Sequence, residues 1–126
     1  MSVTRAEVDA ICAALPGSVL AHPPELISWK VGGKMFACIG QQDDRDGVSV
    51  KTADAATAQM LIETTPAIRA KYFHASWVRL PNDALGLDEM RHRIHISYDI
   101  VRASLKKADR DALPLGGPLH QALGHL

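Results

Sequence analysis

The segment Lys30-Val-Gly-Gly-Lys-Met-Phe-Ala37 decides the fold of this chain, because two apolar stretches flank a Gly-Gly pair. Gly32 and Gly33 can adopt positive φ without steric cost, as a two-residue hairpin loop requires. A third apolar stretch, Val48-Ser-Val-Lys-Thr52, follows the polar connection Asp43-Asp-Arg-Asp-Gly47. Three short apolar runs joined by polar or glycine-rich turns predict an antiparallel meander.

Further strands and three helices extend outward from this meander. Strands are expected at residues 18–22, 26–31, 35–41, 47–52 and 76–80, with residues 66–75 as a loop. Thr4-Arg-Ala-Glu7 is a capping-box pattern, which predicts a helix over residues 4–15. A second helix is expected to begin with Thr52 or Asp54 as its cap and to end before Pro66.

The third helix is the longest and is expected over residues 87–107. Its inward stripe, at helical spacing, consists of Met90, Ile94, Ser97, Tyr98, Val101 and Leu105. The opposite side of this helix carries Arg91, His95, Asp99, Arg102 and Lys106. This pattern predicts a helix with one side in the core and polar residues on the other.

The order of helix, meander, helix, strand and helix does not alternate singly, so it predicts an α+β fold. We expect a two-layer sandwich in which three helices cover an antiparallel sheet. The 126 residues suit one domain, over residues 1–110, followed by a Gly- and Pro-containing tail over residues 111–126. The predicted core contains Val8, Ile11, Leu15, Phe36, Val48, Val50, Leu61, Ile94, Tyr98 and Val101.

Composition restricts the classes of function. Basic and acidic residues both number 14, so the formal charge is zero and only a local patch could neutralise nucleic-acid phosphates. The sequence contains neither the apolar run that a membrane span needs nor a signal-peptide core. We therefore expect a cytoplasmic protein with no membrane partner, in which Cys12 and Cys38 are buried thiols.

Four segments of the chain resemble the MmcQ/YjbR family: Val31–Ala37, Val48–Thr52, Tyr72–Leu80 and Ser97–Val101. The resemblance extends from Thr4 to about Lys107. It implies a two-layer sandwich similar to CyaY and to secretion chaperones. It also implies DNA binding through a double-wing arrangement of β-hairpins.

Basic residues cluster in two segments that contain no acidic residue. These segments run from residue 28 to 42 and from residue 66 to 82, and Lys51 lies on a neighbouring strand. Cationic side chains beside aromatic rings suit phosphate contacts combined with base stacking. The candidate nucleic-acid-binding residues are Lys30, Lys34, Lys51, Arg69, Lys71, Trp77 and Arg79. The alternative interpretation is a solvated sheet face with its aromatic residues in the core.

Trp77 and Arg79 share one face of a strand, because side chains two residues apart point the same way. If Val78 is inward, both point outward, and an exposed Trp beside an Arg is typical of a binding hot spot. In the alternative interpretation, Trp77 closes the edge of the core and Arg79 stacks over it.

Motifs for catalysis or metal binding are weak. His92 and His95 have a spacing compatible with two metal ligands, but no carboxylate or thiol is placed to complete a site. We expect a solvated turn, rather than a calcium site, at Asp43, Asp44 and Asp46. We therefore expect no catalytic residues, no metal, no cofactor and no enzymatic activity.

Two functions from different classes remain. The first is a DNA-binding protein that makes weak, non-specific contacts through a basic and aromatic sheet face. The second is a protein-interaction or chaperone-like module that binds no nucleic acid. Salt dependence separates them, because affinity through phosphates falls steeply with salt whereas affinity through apolar contacts does not.

Overall fold

The computed structural model describes residues 2–21 and 27–113. Its elements are α1 (Arg5–Ala13), β1 (Ser18–Ala21), β2 (Ile27–Val31), β3 (Lys34–Gln42), β4 (Arg45–Lys51), α2 (Ala55–Thr64), β5 (Ile68–Arg69), β6 (Trp77–Pro81), α3 (Leu87–Ala103) and α4 (Lys107–Asp111). The described strands form one antiparallel sheet in the order β1-β2-β3-β4-β6-β5. The predicted α+β class with an antiparallel sheet is therefore confirmed.

Two-residue turns join β2 to β3 and β3 to β4. Gly32 and Gly33 have φ of 56° and 79°, and Asp43 and Asp44 have φ of 53° and 61°. Two consecutive positive φ angles match the right-handed twist of the flanking strands, which explains the choice of Gly, Asn or Asp at such turns. The Gly-Gly hairpin is therefore confirmed. The second turn is shorter than predicted, because Arg45 already pairs with Gln42.

Helices α1 and α3 pack on one face of the sheet and enclose the core. All ten residues predicted for the core are buried. The Phe36 ring meets the Tyr98 ring edge-on at a centroid distance of 5.4 Å. The buried Ser97 hydroxyl donates to the Phe36 carbonyl at 2.6 Å and accepts from the Lys51 amide at 2.9 Å. This one side chain therefore ties α3 to both central strands.

Helix boundaries follow local capping. Thr4 and Glu7 form the predicted capping box of α1, and Asp54 caps α2 by accepting from the Thr57 amide at 2.7 Å. The prediction that α3 reaches Lys107 is wrong: it ends at Ala103, and the separate short helix α4 follows. The prediction of an unbroken loop over residues 66–75 is also wrong, since β5 pairs there with β6.

His95 is the one residue of α3 whose predicted side is wrong. It was expected opposite the core, but it is buried, because α1 packs along a second side of α3. Its imidazole lies in a depression with Glu7, Ile11 and Arg91. Burial lowers the pKa of His95.

Some predictions concern residues outside the described part. His22 and Leu26, at the ends of two predicted strands, lie there, as do residues 114–126 with His120 and His125. Leu113, the last described residue, packs against the core. The predicted domain boundary at residue 110 stays a prediction.

Candidate nucleic-acid interface

The sheet face opposite α1 and α3 carries a row of polar side chains rather than apolar ones. Cross-strand pairing aligns Ser28 of β2 with Cys38 of β3, Ser49 of β4 and Arg79 of β6. All four are buried. Burial raises the pKa of the Cys38 thiol, with the nearby Arg79 as a smaller opposing influence. The middle of this face is therefore polar and largely shielded from solvent.

Arg79 does not point into solvent, and the expectation that it is exposed beside Trp77 is wrong. Only 5% of its surface is exposed. Its Nη2 donates to the carbonyls of Gly40 and Arg45, the latter at 3.1 Å. A Cβ at Gly47 would lie 2.8 Å from the Arg79 Nε, so the absence of a side chain there makes room for the guanidinium. Burial lowers the pKa of Arg79.

Lys51, not Arg79, lies over Trp77. The two residues are cross-strand partners, and the Lys51 Nζ is 6.0 Å from the Trp77 ring centroid. The same Nζ donates to the Ser76 hydroxyl at 3.3 Å. The Phe73 ring approaches Trp77 at a centroid distance of 4.9 Å, tilted by 35°. These contacts place a cation and two aromatic rings together at the start of β6.

The loop between β5 and β6 is anchored to the β3–β4 turn. The Gln42 side chain accepts from the Lys71 amide at 3.0 Å and donates to the Arg69 carbonyl at 2.9 Å. The Lys71 ammonium donates to Asp43 at 2.6 Å, which raises the pKa of Lys71. The loop is therefore held on the N-terminal side of Tyr72.

Tyr72 occupies that tip and is fully exposed, at 102% relative accessibility. Its φ is 68°, in the left-handed region that bulky residues rarely adopt. Such conformations persist only where surrounding contacts enforce them, and they cluster at binding sites. Here Lys71 on one side and the Phe73–Trp77 contact on the other supply those constraints.

A groove of about 560 Å³ runs between this loop and α2. Its walls include Arg69, Phe73, His74 and Trp77 from the loop side, and Ala55, Ala56, Gln59 and Ile62 from α2. We call this surface the aromatic groove. The Ser76 amide donates to Nδ1 of His74 at 3.1 Å, which fixes the imidazole beside the groove.

Known proteins resemble this chain both in sequence and in fold. The family model named YjbR matches residues 13–100, which include every strand of the meander and most of α3. The chain belongs to the YjbR family. The crystal structure of a Deinococcus radiodurans protein, DR2400, with the domain DUF419, is similar to it with a TM-score of 0.76 and 21% identity over 87% of each chain. No curated protein matches the sequence.

At that identity, the Deinococcus structure supports the fold of this YjbR-family chain rather than its function. Among residues 2–21 and 27–113, no helix is long and apolar enough to cross a membrane. Within the same ranges, no three His, Cys, Asp or Glu side chains are grouped to hold a metal ion.

The YjbR fold brings together only part of the predicted site. Arg69 and Trp77 line the aromatic groove, and Lys51 lies over the Trp77 ring, whereas Lys71 is not part of the groove lining. Lys30 and Lys34 lie on the β2–β3 hairpin, which β4 separates from β6. The Lys34 Nζ lies 3.5 Å from the Ser104 carbonyl at the end of α3.

Sequence reasoning missed two residues that build this YjbR-family site. Gln42 accepts a hydrogen bond from the amide of Lys71, which is 29 residues away in the sequence. Ser76 accepts a hydrogen bond from the ammonium of Lys51, which is 25 residues away. Both are ordinary polar residues near strand ends, and no local pattern marks them. Only the pairing of segments that are distant in the sequence could have identified them.

Proposed function

We propose that this protein binds nucleic acid weakly and without sequence preference, with single strands preferred, through the aromatic groove and Tyr72. The proposed role is binding without catalysis and without a cofactor. The observation that carries it is the fully exposed Tyr72, held at a positive φ and followed directly in the chain by Phe73, whose ring contacts Trp77 next to Lys51.

Stacking supports the preference for single strands. Base–aromatic stacking contributes about 1–3 kcal/mol per base and tolerates any sequence, because every base has a π face. A paired base in a duplex is already stacked on its neighbours and is not available to Tyr72. The Trp77 ring already contacts Phe73 and Lys51. The exposed Tyr72 ring is therefore the one on which a base can stack.

The charges near the groove support phosphate contact on a limited scale. Arg69 is exposed, and the Lys51 ammonium is paired with no carboxylate among the described residues. Lys71 is paired with Asp43, and Arg79 is buried on two carbonyls. Two available cations fit weak binding in a chain of zero net charge.

The test is fluorescence polarisation with a labelled oligo-dT, a mixed single strand and a duplex. Each is titrated at about 50 mM and about 200 mM salt, over which phosphate-driven affinity changes strongly. The double variant Lys51→Gln, Arg69→Gln should flatten the salt slope by about 1.4, since each phosphate contact contributes about 0.7 on single strands. The double variant should lose the same affinity for both single-strand sequences, because phosphates carry no base information.

A matched control comes from the other basic segment. Lys34→Gln removes the same charge on the β2–β3 hairpin and should leave affinity and slope unchanged. If Lys34→Gln weakens binding as much as the double variant does, the interface lies on the hairpin and the assignment to the groove is wrong. If the wild type binds neither single strands nor duplex at low salt, the nucleic-acid role is wrong.

A partner protein is the second candidate, and the edge strand β1 favours it. Val19 on this strand is 62% exposed, and β1 pairs only with β2 among the described strands. An edge strand with an exposed apolar side chain can accept a further strand from another chain. Such binding would be insensitive to salt and to changes at Tyr72, which separates it from the first proposal.

A further inference from the structure

His74 lies on the wall of the aromatic groove, and its exposed imidazole is attached to a buried residue. The Ser76 amide donates to Nδ1 of His74 at 3.1 Å, and the Ser76 hydroxyl lies 2.9 Å from the same nitrogen. Ser76 is only 3% exposed. Its carbonyl accepts from the amide and the hydroxyl of Thr52, at 2.8 Å and 2.7 Å. The imidazole is therefore held in one orientation by a residue that is itself tied to the end of β4.

These contacts decide which ring nitrogen carries the proton. A backbone amide can only donate, so Nδ1 of His74 must accept, and the proton of the neutral ring lies on Nε2. The Lys51 ammonium also can only donate, and it reaches the Ser76 hydroxyl oxygen at 3.3 Å. The proton of that hydroxyl is thereby left to point toward Nδ1, in agreement with the amide. Neutral His74 is thus fixed with a donor at Nε2.

The Nε2 donor is free for a ligand. Within residues 2–21 and 27–113, the hydrogen bonds of the His74 ring all involve Nδ1. His74 lines the aromatic groove whereas Ser76 does not, so the ring turns its other edge toward the groove. Arg69 is the charged residue of this lining, and no carboxylate lies among the described residues that form it. The groove therefore offers hydrogen-bond donors to a ligand that brings acceptors.

We infer that neutral His74 donates its Nε2–H to an oxygen of the bound strand, either a phosphate oxygen or the carbonyl oxygen of a base. This inference rests on the proposed function, because the ligand is the single-stranded nucleic acid proposed above. It adds an uncharged and directional contact to the two cations, Lys51 and Arg69. Since the donor is already oriented in the free protein, little side-chain ordering opposes the contact. Ser76 is its positioning residue.

The first experiment measures the position of the proton in the free protein. A long-range proton–nitrogen NMR spectrum, recorded at about pH 8 where an ordinary imidazole is neutral, observes both ring nitrogens through the carbon-bound ring protons. His74 should show an acceptor nitrogen at Nδ1 and an N–H nitrogen at Nε2. The exposed His92, whose ring makes no hydrogen bond among the described residues, should show averaged signals. A proton on Nδ1 of His74, or averaging like that of His92, overturns the inference.

Two variants place an amide at one or the other ring nitrogen. In His74→Gln the side-chain amide reaches the position of Nε2 and can donate there. In His74→Asn it reaches only the position of Nδ1, where it can accept from Ser76. His74→Asn should lose about tenfold in affinity for oligo-dT, because the hydrogen bond to the ligand is gone. His74→Gln should lose only about threefold, because a freer side chain must be ordered on binding.

The order of the two variants separates binding from support of the loop. If His74 only held the loop through Nδ1, His74→Asn would bind better than His74→Gln, and that result would overturn the inference. The salt slope gives a further check. His74→Asn should leave it unchanged, because a neutral donor neutralises no phosphate, whereas the double variant Lys51→Gln, Arg69→Gln flattens it.

Oligo-dA beside oligo-dT separates the two kinds of oxygen. Thymine presents O2 and O4, whereas adenine has no carbonyl oxygen. Equal losses in His74→Asn on both strands assign the contact to a phosphate oxygen, in agreement with binding without sequence preference. A loss on oligo-dT alone assigns the contact to a thymine carbonyl and gives the groove a sequence preference. A loss on oligo-dA alone would overturn a contact with oxygen.

The inference and the proposed function can be told apart when they fail. If the wild type binds single strands and His74→Asn binds them equally well, the contact by His74 is wrong and the groove stays the proposed interface. If the wild type binds no oligonucleotide, the proposed function is wrong. The contact by His74 is then wrong with it, even if the free protein shows the expected proton on Nε2.

Discussion

The two faces of strands β3, β4 and β6 are both buried at their centre, but with opposite chemistry. Toward the helices the strands present Val48, Val50, Val78 and Leu80. Toward the other side they present Cys38, Ser49 and Arg79. The first face is a hydrocarbon core, whereas the second is a polar layer closed by a loop. We therefore expect the stability of the protein to depend mainly on the first face.

The largest expected effect tests the helix-covered face. Ile94→Ala should reduce the free energy of unfolding by about 2–5 kcal/mol, because Ile94 is fully buried and its removal leaves a cavity. Urea unfolding measures the loss. The exposed neighbour provides a control, since His92→Ala should stay within about 0.5 kcal/mol of the wild type. A loss of unfolding free energy below about 0.5 kcal/mol for Ile94→Ala would contradict the assignment of the core to this face.

The next effect tests the polar face. Arg79→Met keeps the aliphatic stem but removes the hydrogen bonds that the guanidinium donates to the carbonyls of Gly40 and Arg45. Hydrogen bonds to charged groups contribute about 1.5–3 kcal/mol, so a loss in that range is expected. Circular dichroism melting beside Lys51→Met, a partly exposed lysine on the neighbouring strand, gives the comparison. Equal stability of Arg79→Met and the wild type would mean that the polar layer does not support the fold.

Residues that depend on local pattern were predictable from the sequence, and residues that depend on distant contacts were not. The Gly-Gly hairpin and the ten core positions follow from turn chemistry and periodicity over a few residues. Arg79 is buried because of carbonyls 39 and 34 residues away. His95 is buried because α1 lies beside α3. No short stretch of sequence includes both these residues and the distant groups that bury them.

A smaller effect concerns His95, where the helices meet. Burial holds its pKa below 6.5, with Arg91 and His92 acting in the same direction and Asp99 opposing them. As pH falls through 6.5, the unfolded chain takes up the proton first, so stability decreases with falling pH below that value and is level above it. One proton gives a slope of at most about 1.4 kcal/mol per pH unit.

Urea unfolding between pH 5 and pH 8 measures this dependence. His95→Gln should flatten the decrease below pH 6.5, whereas His92→Gln should keep it. If both variants behave alike, the loss of stability at low pH arises from other groups, and the burial of His95 does not contribute to it.

The smallest expected effect on stability is at Tyr72, where binding should nevertheless change most. Tyr72→Gly relieves the positive φ, so the melting temperature should not fall. Single-strand affinity should weaken by about 1–3 kcal/mol, the contribution of one stacked base. Melting and polarisation on the same preparation test both. A lower melting temperature with unchanged affinity would make Tyr72 a structural residue and would contradict the proposed interface.

The approach of Arg79 to Gly47 has a consequence for how this chain can change over evolutionary time. A Cβ at position 47 would meet the Leu80 carbonyl oxygen at 2.7 Å as well as the guanidinium. A lineage that gains a side chain at position 47 must therefore also replace Arg79 and shift β6. A substitution at position 47 alone, or at Arg79 alone, should give a less stable protein. We expect the two positions to be inherited as a pair, with a double-mutant cycle showing strong coupling between them.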